Sequence, residues 1–98
     1  MEQIDATLSN VSASASSVTV LAANPLRCGA SIHNDSVAVL YLKMGSTASA
    51  TSYTVKMEPG DHYELPIVIG GTQRAVYSGI ITGIWASATG AARVTEYT

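Results

Sequence analysis

His33 and His62 each stand beside groups with which an imidazole does chemistry. Asp35 and Ser36 follow the first; Asp61 precedes the second, and Glu64 lies two residues beyond it. A nucleophilic triad needs a hydroxyl, an imidazole and a carboxylate in hydrogen-bonded series, and geometry rather than chain order defines it. His33-Asn34-Asp35-Ser36 contains the right types, but no GxSxG elbow accompanies them. The same run has the composition of a polar turn. His62 and Glu64 share one face of an extended strand, and with His33 and Asp61 they are the donor types of a metal site. Two ligands on one strand leave such a site incomplete. Glu58, Asp61 and Glu64 gather around Pro59-Gly60, which suits either weak calcium binding or a solvated turn. Gly45-Ser46 and Gly70-Gly71 lack the lysine and following helix of a phosphate loop. The reading assigns no catalytic residue, no metal and no cofactor, and an enzyme is not expected.

The balance of residue types narrows the partners. The chain has 98 residues, a formal net charge of -2 and only 12% charged residues, against about 25% in an average soluble domain. Its five basic residues, Arg27, Lys43, Lys56, Arg74 and Arg93, are scattered. Phosphate-backbone binding needs them clustered, so nucleic acid is not expected as a ligand. Ser, Thr, Ala and Gly do the surface work, which suits a protein that covers much of itself in an assembly. A single cysteine, Cys28, precludes an intrachain disulfide; a small buried or half-buried thiol is expected there. The opening MEQIDATLSN is acidic and polar rather than basic then apolar, so no secretory leader is expected and synthesis is placed in a cytoplasm.

The elements that must hold these groups read as strands. Residues 1–16, rich in Ser and Ala, form an N-terminal arm or a first edge strand; residues 17–98 form a single β-sandwich domain. SVTVLAA is a β-branched strand ended by Asn24-Pro25. RCGASIHN alternates, with Cys28, Ala30 and Ile32 on one side, and Asn34-Asp35-Ser36 reads as a turn. VAVLYLKMG is apolar on both faces and should be central. YTVKM, HYELP and IVIGGTQ follow, separated by the Glu58-Pro59-Gly60-Asp61 turn and ending in a Gly-Gly corner.

No charge lies between Arg74 and Arg93, which raises the question of a membrane helix. Such a helix needs about 20 mostly apolar residues, whereas Ser78, Thr82, Ser87 and Thr89 punctuate this stretch. Glycines 79, 83 and 90 each weaken a helix by about 1 kcal/mol. Two strands around a turn near Thr89-Gly90 are expected, with the strand glycines marking a bulge or the close approach of another backbone. With no phenylalanine, Trp85 and the five tyrosines must supply the aromatic bulk, and Trp85 is expected in the core. The whole reads as all-β: an antiparallel β-sandwich or small barrel of about seven to eight strands, jelly-roll or Greek-key-like, with hairpins dominating.

A series of short motifs follows in a specific order. Asn24, Pro25 and Arg27 match an Asn-Pro-x-Arg motif, Asn34 and Ser36 an apolar-x-Asn-x-Ser turn, and Leu40, Tyr41 and Gly45 a Leu-Tyr-x-x-x-Gly segment. Ala48, Ser49, Tyr53 and Val55 come next, then Pro59, Gly60, Glu64 and Pro66. Gly83, Ile84, Trp85, Ala88, Gly90, Ala92, Val94, Thr95 and Glu96 match the closing motif. This order resembles that of small structural proteins of tailed bacteriophages. The departures are Cys28, where a polar or basic residue is usual, and His33, where an aromatic is common. The resemblance spans residues 24–96, implies a component of the virion, and brings no catalytic residues with it.

Composition and resemblance together lead to a capsid decoration, or cement, protein. It would bind the major capsid protein or other virion proteins on the capsid surface as a homo-oligomer, a trimer, with no membrane partner. The candidate partner-binding residues are Ile4, Leu8, Val11, Arg27 and Tyr97. A head-tail connector or tail-associated module is the nearest alternative. A carbohydrate-binding β-sandwich that contacts the host surface, with Trp85 or tyrosines exposed as stacking platforms, is the other.

Overall fold

A computed structural model describes residues 4–70 and 73–98. Ten strands follow one another, and no helix occurs among the described residues. They are β1 (Ala6–Ser12), β2 (Val18–Leu21), β3 (Gly29–Ser36), β4 (Leu40–Met44), β5 (Val55–Met57), β6 (His62–Glu64), β7 (Ile67–Gly70), β8 (Gln73–Val76), β9 (Ile81–Trp85) and β10 (Gly90–Tyr97). Eight of them form two antiparallel four-stranded sheets, ordered β1-β10-β3-β6 and β2-β9-β4-β5, and β7 and β8 form a separate hairpin. The chain passes repeatedly from one sheet to the other, which is the weave of a jelly-roll sandwich. The hairpin is an insertion between β6 and β9.

Period-two alternation makes the sandwich. From the first sheet Ala30, Ile32, Ala92 and Val94 turn inward; Leu40, Leu42, Met57, Ile81 and Trp85 meet them from the second, all buried. Leu40 and Leu42 lie on an interior strand, as the apolar run around them predicts. Trp85 is 2% exposed. Beside it Gly83 leaves room for packing: a Cβ there would stand 2.9 Å from Leu40 Cδ1 and 3.1 Å from Val20 Cγ2. The close approach expected of a strand glycine is thus one of side chains.

Three expectations need correction. Residues 81–97 do form two strands, but these do not pair with each other: β9 lies in the second sheet and β10 in the first, so Thr89-Gly90 joins layers. Hairpins do not dominate either; among the described residues only β4–β5 and β7–β8 pair as sequence neighbours, and the other pairings are long-range. Asn34-Asp35-Ser36 is the end of β3, and the bend falls at Val37-Ala38. The strand continues through Asn34 because its amide is fully satisfied inside the sandwich. The Gly-Gly corner includes Gly71, which with Thr72 lies outside the described residues.

The turns that do match their sequence signals have the expected chemistry. At Glu58–Asp61 the Asp61 N–H bonds back to the Glu58 carbonyl at 2.9 Å, and Gly60 has φ +88°. Pro followed by a positive-φ glycine is the type II arrangement. Asn24-Pro25 likewise opens a turn: the Arg27 N–H reaches the Asn24 carbonyl at 3.1 Å, while Asn24 Oδ1 accepts from the Leu26 N–H at 3.0 Å.

Residues 6–12 are an edge strand. β1 pairs with β10 in unbroken register, from Ala6 opposite Tyr97 to Ser12 opposite Ala91. Strand-to-strand bonding continues at Asp5 and Thr98 in both directions. The chain then crosses to the second sheet, where the Trp85 N–H donates to the Ser14 carbonyl at 2.8 Å. Residues 5–14 are therefore bonded into the sandwich.

Candidate interaction surface

The hydroxyl, imidazole and carboxylate groups near residues 33–36 are turned to different tasks. His33 and Asp35 point from the outer face of the first sheet. Asp35 Oδ2 holds Arg93 Nε at 2.9 Å, both side chains about half exposed. Ser36 Oγ instead donates to Asn34 Oδ1 at 2.7 Å and accepts from the Ala38 N–H at 3.2 Å. The triad arrangement is absent at this position. Around Pro59-Gly60, Asp61 Oδ2 accepts from the Glu58 N–H at 2.8 Å, so one carboxylate closes its own turn. His62 Nε2 lies 3.4 Å from Glu64 Oε1. Among the described residues no group of three or more His, Cys, Asp and Glu side chains converges as metal ligands.

Residues of the Asn-Pro, Asn-x-Ser, Pro-Gly and closing motifs instead build two buried polar hubs. Asn34 is fully buried: its Nδ2 faces the carbonyls of Ala38, Met57 and Glu58 at 2.9–3.2 Å, and its Oδ1 accepts from Trp85 Nε1. The Gly60 N–H bonds to the Asn34 carbonyl at 2.8 Å. Asn34, Ser36, Gly60 and Trp85, scattered in sequence, thus clamp the two layers at one end.

The second hub is Arg27. Its Nε meets Glu96 Oε2 at 2.8 Å, and its terminal nitrogens donate to the carbonyls of Ala22, Tyr77 and Gly79 at 2.6–3.1 Å. Asn24 Nδ2 reaches the other Glu96 oxygen at 3.4 Å. No buried side-chain nitrogen or oxygen lacks a partner among the described residues, as a fixed polar network requires.

The residues proposed from sequence to meet a partner divide accordingly. Ile4, Leu8 and Tyr97 are exposed, at 66%, 76% and 37%. Leu8 and Tyr97 share the outer face of the first sheet, since Ala6 lies opposite Tyr97 and Leu8 opposite Thr95. Ile4 and Tyr97 border the same cleft. Val11 is only half-buried and packs against the core from the edge strand. Arg27 borders a cleft with Ile4 but is 4% exposed, and its guanidinium is spent on four internal acceptors beneath the surface. The signal for that inward turn was Glu96 in the closing motif, a carboxylate able to neutralise the only basic residue in the Asn-Pro motif.

Two adjoining clefts of about 530 and 520 Å³ open between the β7–β8 hairpin and the ends of β3 and β10. Ile4, Cys28 and Ile67 border both. Cys28 is free and exposed, contrary to the expected buried thiol. Its alternation with Ala30 and Ile32 is real, but it lies just before β3 and borders the clefts where those two residues meet the second sheet. Leu26 and Val37, each 75% exposed, and Ile67 at 51% add apolar surface that periodicity did not single out. Leu26 and Val37 occupy bends, where alternation carries no information about facing.

β1 adds a further feature. It has no charged residue, and one of its edges is unpaired among the described residues. Natural edge strands are usually short, bulged or guarded by lysine or proline; this one has none of those guards. Its free N–H and C=O groups are a template for an added strand. Trp85 is buried and cannot serve as a sugar-stacking platform, while Tyr53 is 42% exposed and packs on Tyr41 with ring centroids 5.0 Å apart. No helix of the described residues is long and apolar enough to cross a membrane. No protein-family model, curated protein or solved structure matches the chain.

Proposed function

We propose that the chain is a virion structural protein of a tailed bacteriophage, a capsid decoration protein that binds the outer head shell and stabilises it. The observation that carries this reading is the unguarded β1 edge flanked by Ile4, Leu8 and Tyr97. A strand edge supplies main-chain hydrogen bonds to a neighbour, and the apolar side chains beside it supply burial. The motif resemblance and the low charge support the same reading. The protein works by adhesion: contacts made only with the assembled shell stabilise the shell by mass action. It assembles as a homo-trimer on the capsid surface, with the major capsid protein as its partner.

Quantitative mass spectrometry of purified particles tests the assignment. A decoration protein is present at on the order of hundreds of copies per head, and a head-tail connector at about six to twelve, the size of a closed ring. Absence from washed particles overturns the reading.

A further inference from the structure

We propose that His33 and His62 form a two-imidazole chelate for a divalent transition-metal ion on the outer face of the first sheet. The pairing geometry carries the argument. His33 lies directly opposite His62 in the β3–β6 register. The Asn34 N–H bonds to the Asp61 carbonyl (2.9 Å) at the adjacent pair, and the Leu65 N–H bonds to the Ala30 carbonyl (3.0 Å) three pairs away on the other side; bonded pairs alternate along the ladder. His33 and His62 therefore occupy a non-hydrogen-bonded site, where facing side chains come closest, with Cα atoms about 4.5 Å apart. Their ring centroids are 6.4 Å apart and the planes are inclined at 42°. Side-chain rotation brings one nitrogen of each ring to about 2 Å from a common ion.

Water supplies the rest of the coordination sphere, since among the described residues no third side chain converges on the pair. Glu64 follows on the same face, its carboxylate already 3.4 Å from His62 Nε2. On the other side of His33 stands Arg93, opposite it in the β10–β3 register, and Asp35 ties down that cation at 2.9 Å. His62 is about half exposed, so water can fill the open positions. Two imidazole nitrogens suit Cu²⁺ first among the common divalent ions, and its tetragonal geometry accepts two adjacent nitrogens. Backbone pairing of the two strands holds the donors in place before the ion arrives.

This inference does not depend on the role in the virion. Its test is a calorimetric titration of Cu²⁺ into the full chain, paired with electron paramagnetic resonance. Both use a Cys28→Ser background, because an exposed thiol reduces Cu²⁺ and takes up the product. Far-ultraviolet circular dichroism checks each variant for an intact fold. The proposal expects one ion per chain, saturating below about 100 µM, with hyperfine structure from two nitrogens. His33→Ala and His62→Ala should each weaken binding by roughly tenfold or more and remove the two-nitrogen signature. Equal binding by all three proteins, or no saturation in that range, overturns it.

Discussion

Trp85 and Asn34 meet across the sandwich: the indole Nε1–H donates to Asn34 Oδ1 at 3.2 Å, with both side chains out of solvent. The bond joins β9 of the second sheet to β3 of the first. The other side of the same amide holds the carbonyls of Ala38, Met57 and Glu58. One side chain thus orders the β3–β4 bend, the β5–β6 turn and the largest aromatic of the core.

Asn34→Ala should therefore cost more than a surface polar substitution. It leaves an indole N–H and several carbonyls buried without partners, and a loss of about 3 kcal/mol is expected. Chemical denaturation followed by tryptophan fluorescence measures it directly, since the probe is the bereft group.

Arg27→Ala removes one half of a buried ion pair and three carbonyl partners, so it should destabilise by about 3–5 kcal/mol. Glu96→Gln should cost less, because the amide oxygen still accepts from Arg27 and the shape is kept. A thermal melt that ranks these two variants in the opposite order would contradict the assigned hub.

Two glycines separate backbone strain from collision. Gly60 has φ +88° with nothing near its Cβ position, so Gly60→Ala should cost about 1 kcal/mol from conformation alone. Gly90 has φ +107°, and a Cβ there would lie 2.6 Å from Ser36 Cα, on the backbone of the neighbouring strand. Gly90→Ala should cost roughly 3 kcal/mol, the added part coming from displacing β3. Equal midpoints for the two variants in urea would refute the distinction.

Leu8→Asp tests the interaction surface without touching the core. Leu8 is 76% exposed, so unfolding free energy should change by less than about 0.5 kcal/mol. Co-sedimentation with heads stripped of the protein should be lost, because a carboxylate then has to be desolvated against the shell.

How far the sequence was legible follows from what kind of information each feature needs. Ile32 sits where period-two alternation places it, because facing in a strand is a local property, and Leu42 lies on the interior strand that its doubly apolar run implies. The Pro59-Gly60 turn was equally plain, since its two residues set their own dihedral angles. Pairing is not local. Nothing between Trp85 and Gly90 tells whether the second strand returns to the same sheet or crosses to the other, so a hairpin was the natural and mistaken expectation. Asn34 looked like a turn residue because its partners, Ala38, Met57, Glu58 and Trp85, become visible only once the layers close. Cys28 and Arg27 were misplaced for related reasons: one lies just beyond the region where facing residues are covered, and the other is drawn inward by a glutamate 69 residues away.

The most direct measurement is an electron cryo-microscopy reconstruction of the intact particle. A decoration protein should appear as a two-layered sandwich repeated over the outside of the head, with the β1 edge, Ile4, Leu8 and Tyr97 against a neighbouring shell subunit. Density for the chain confined to the neck or tail, or a β1 edge facing solvent in every copy, would contradict it.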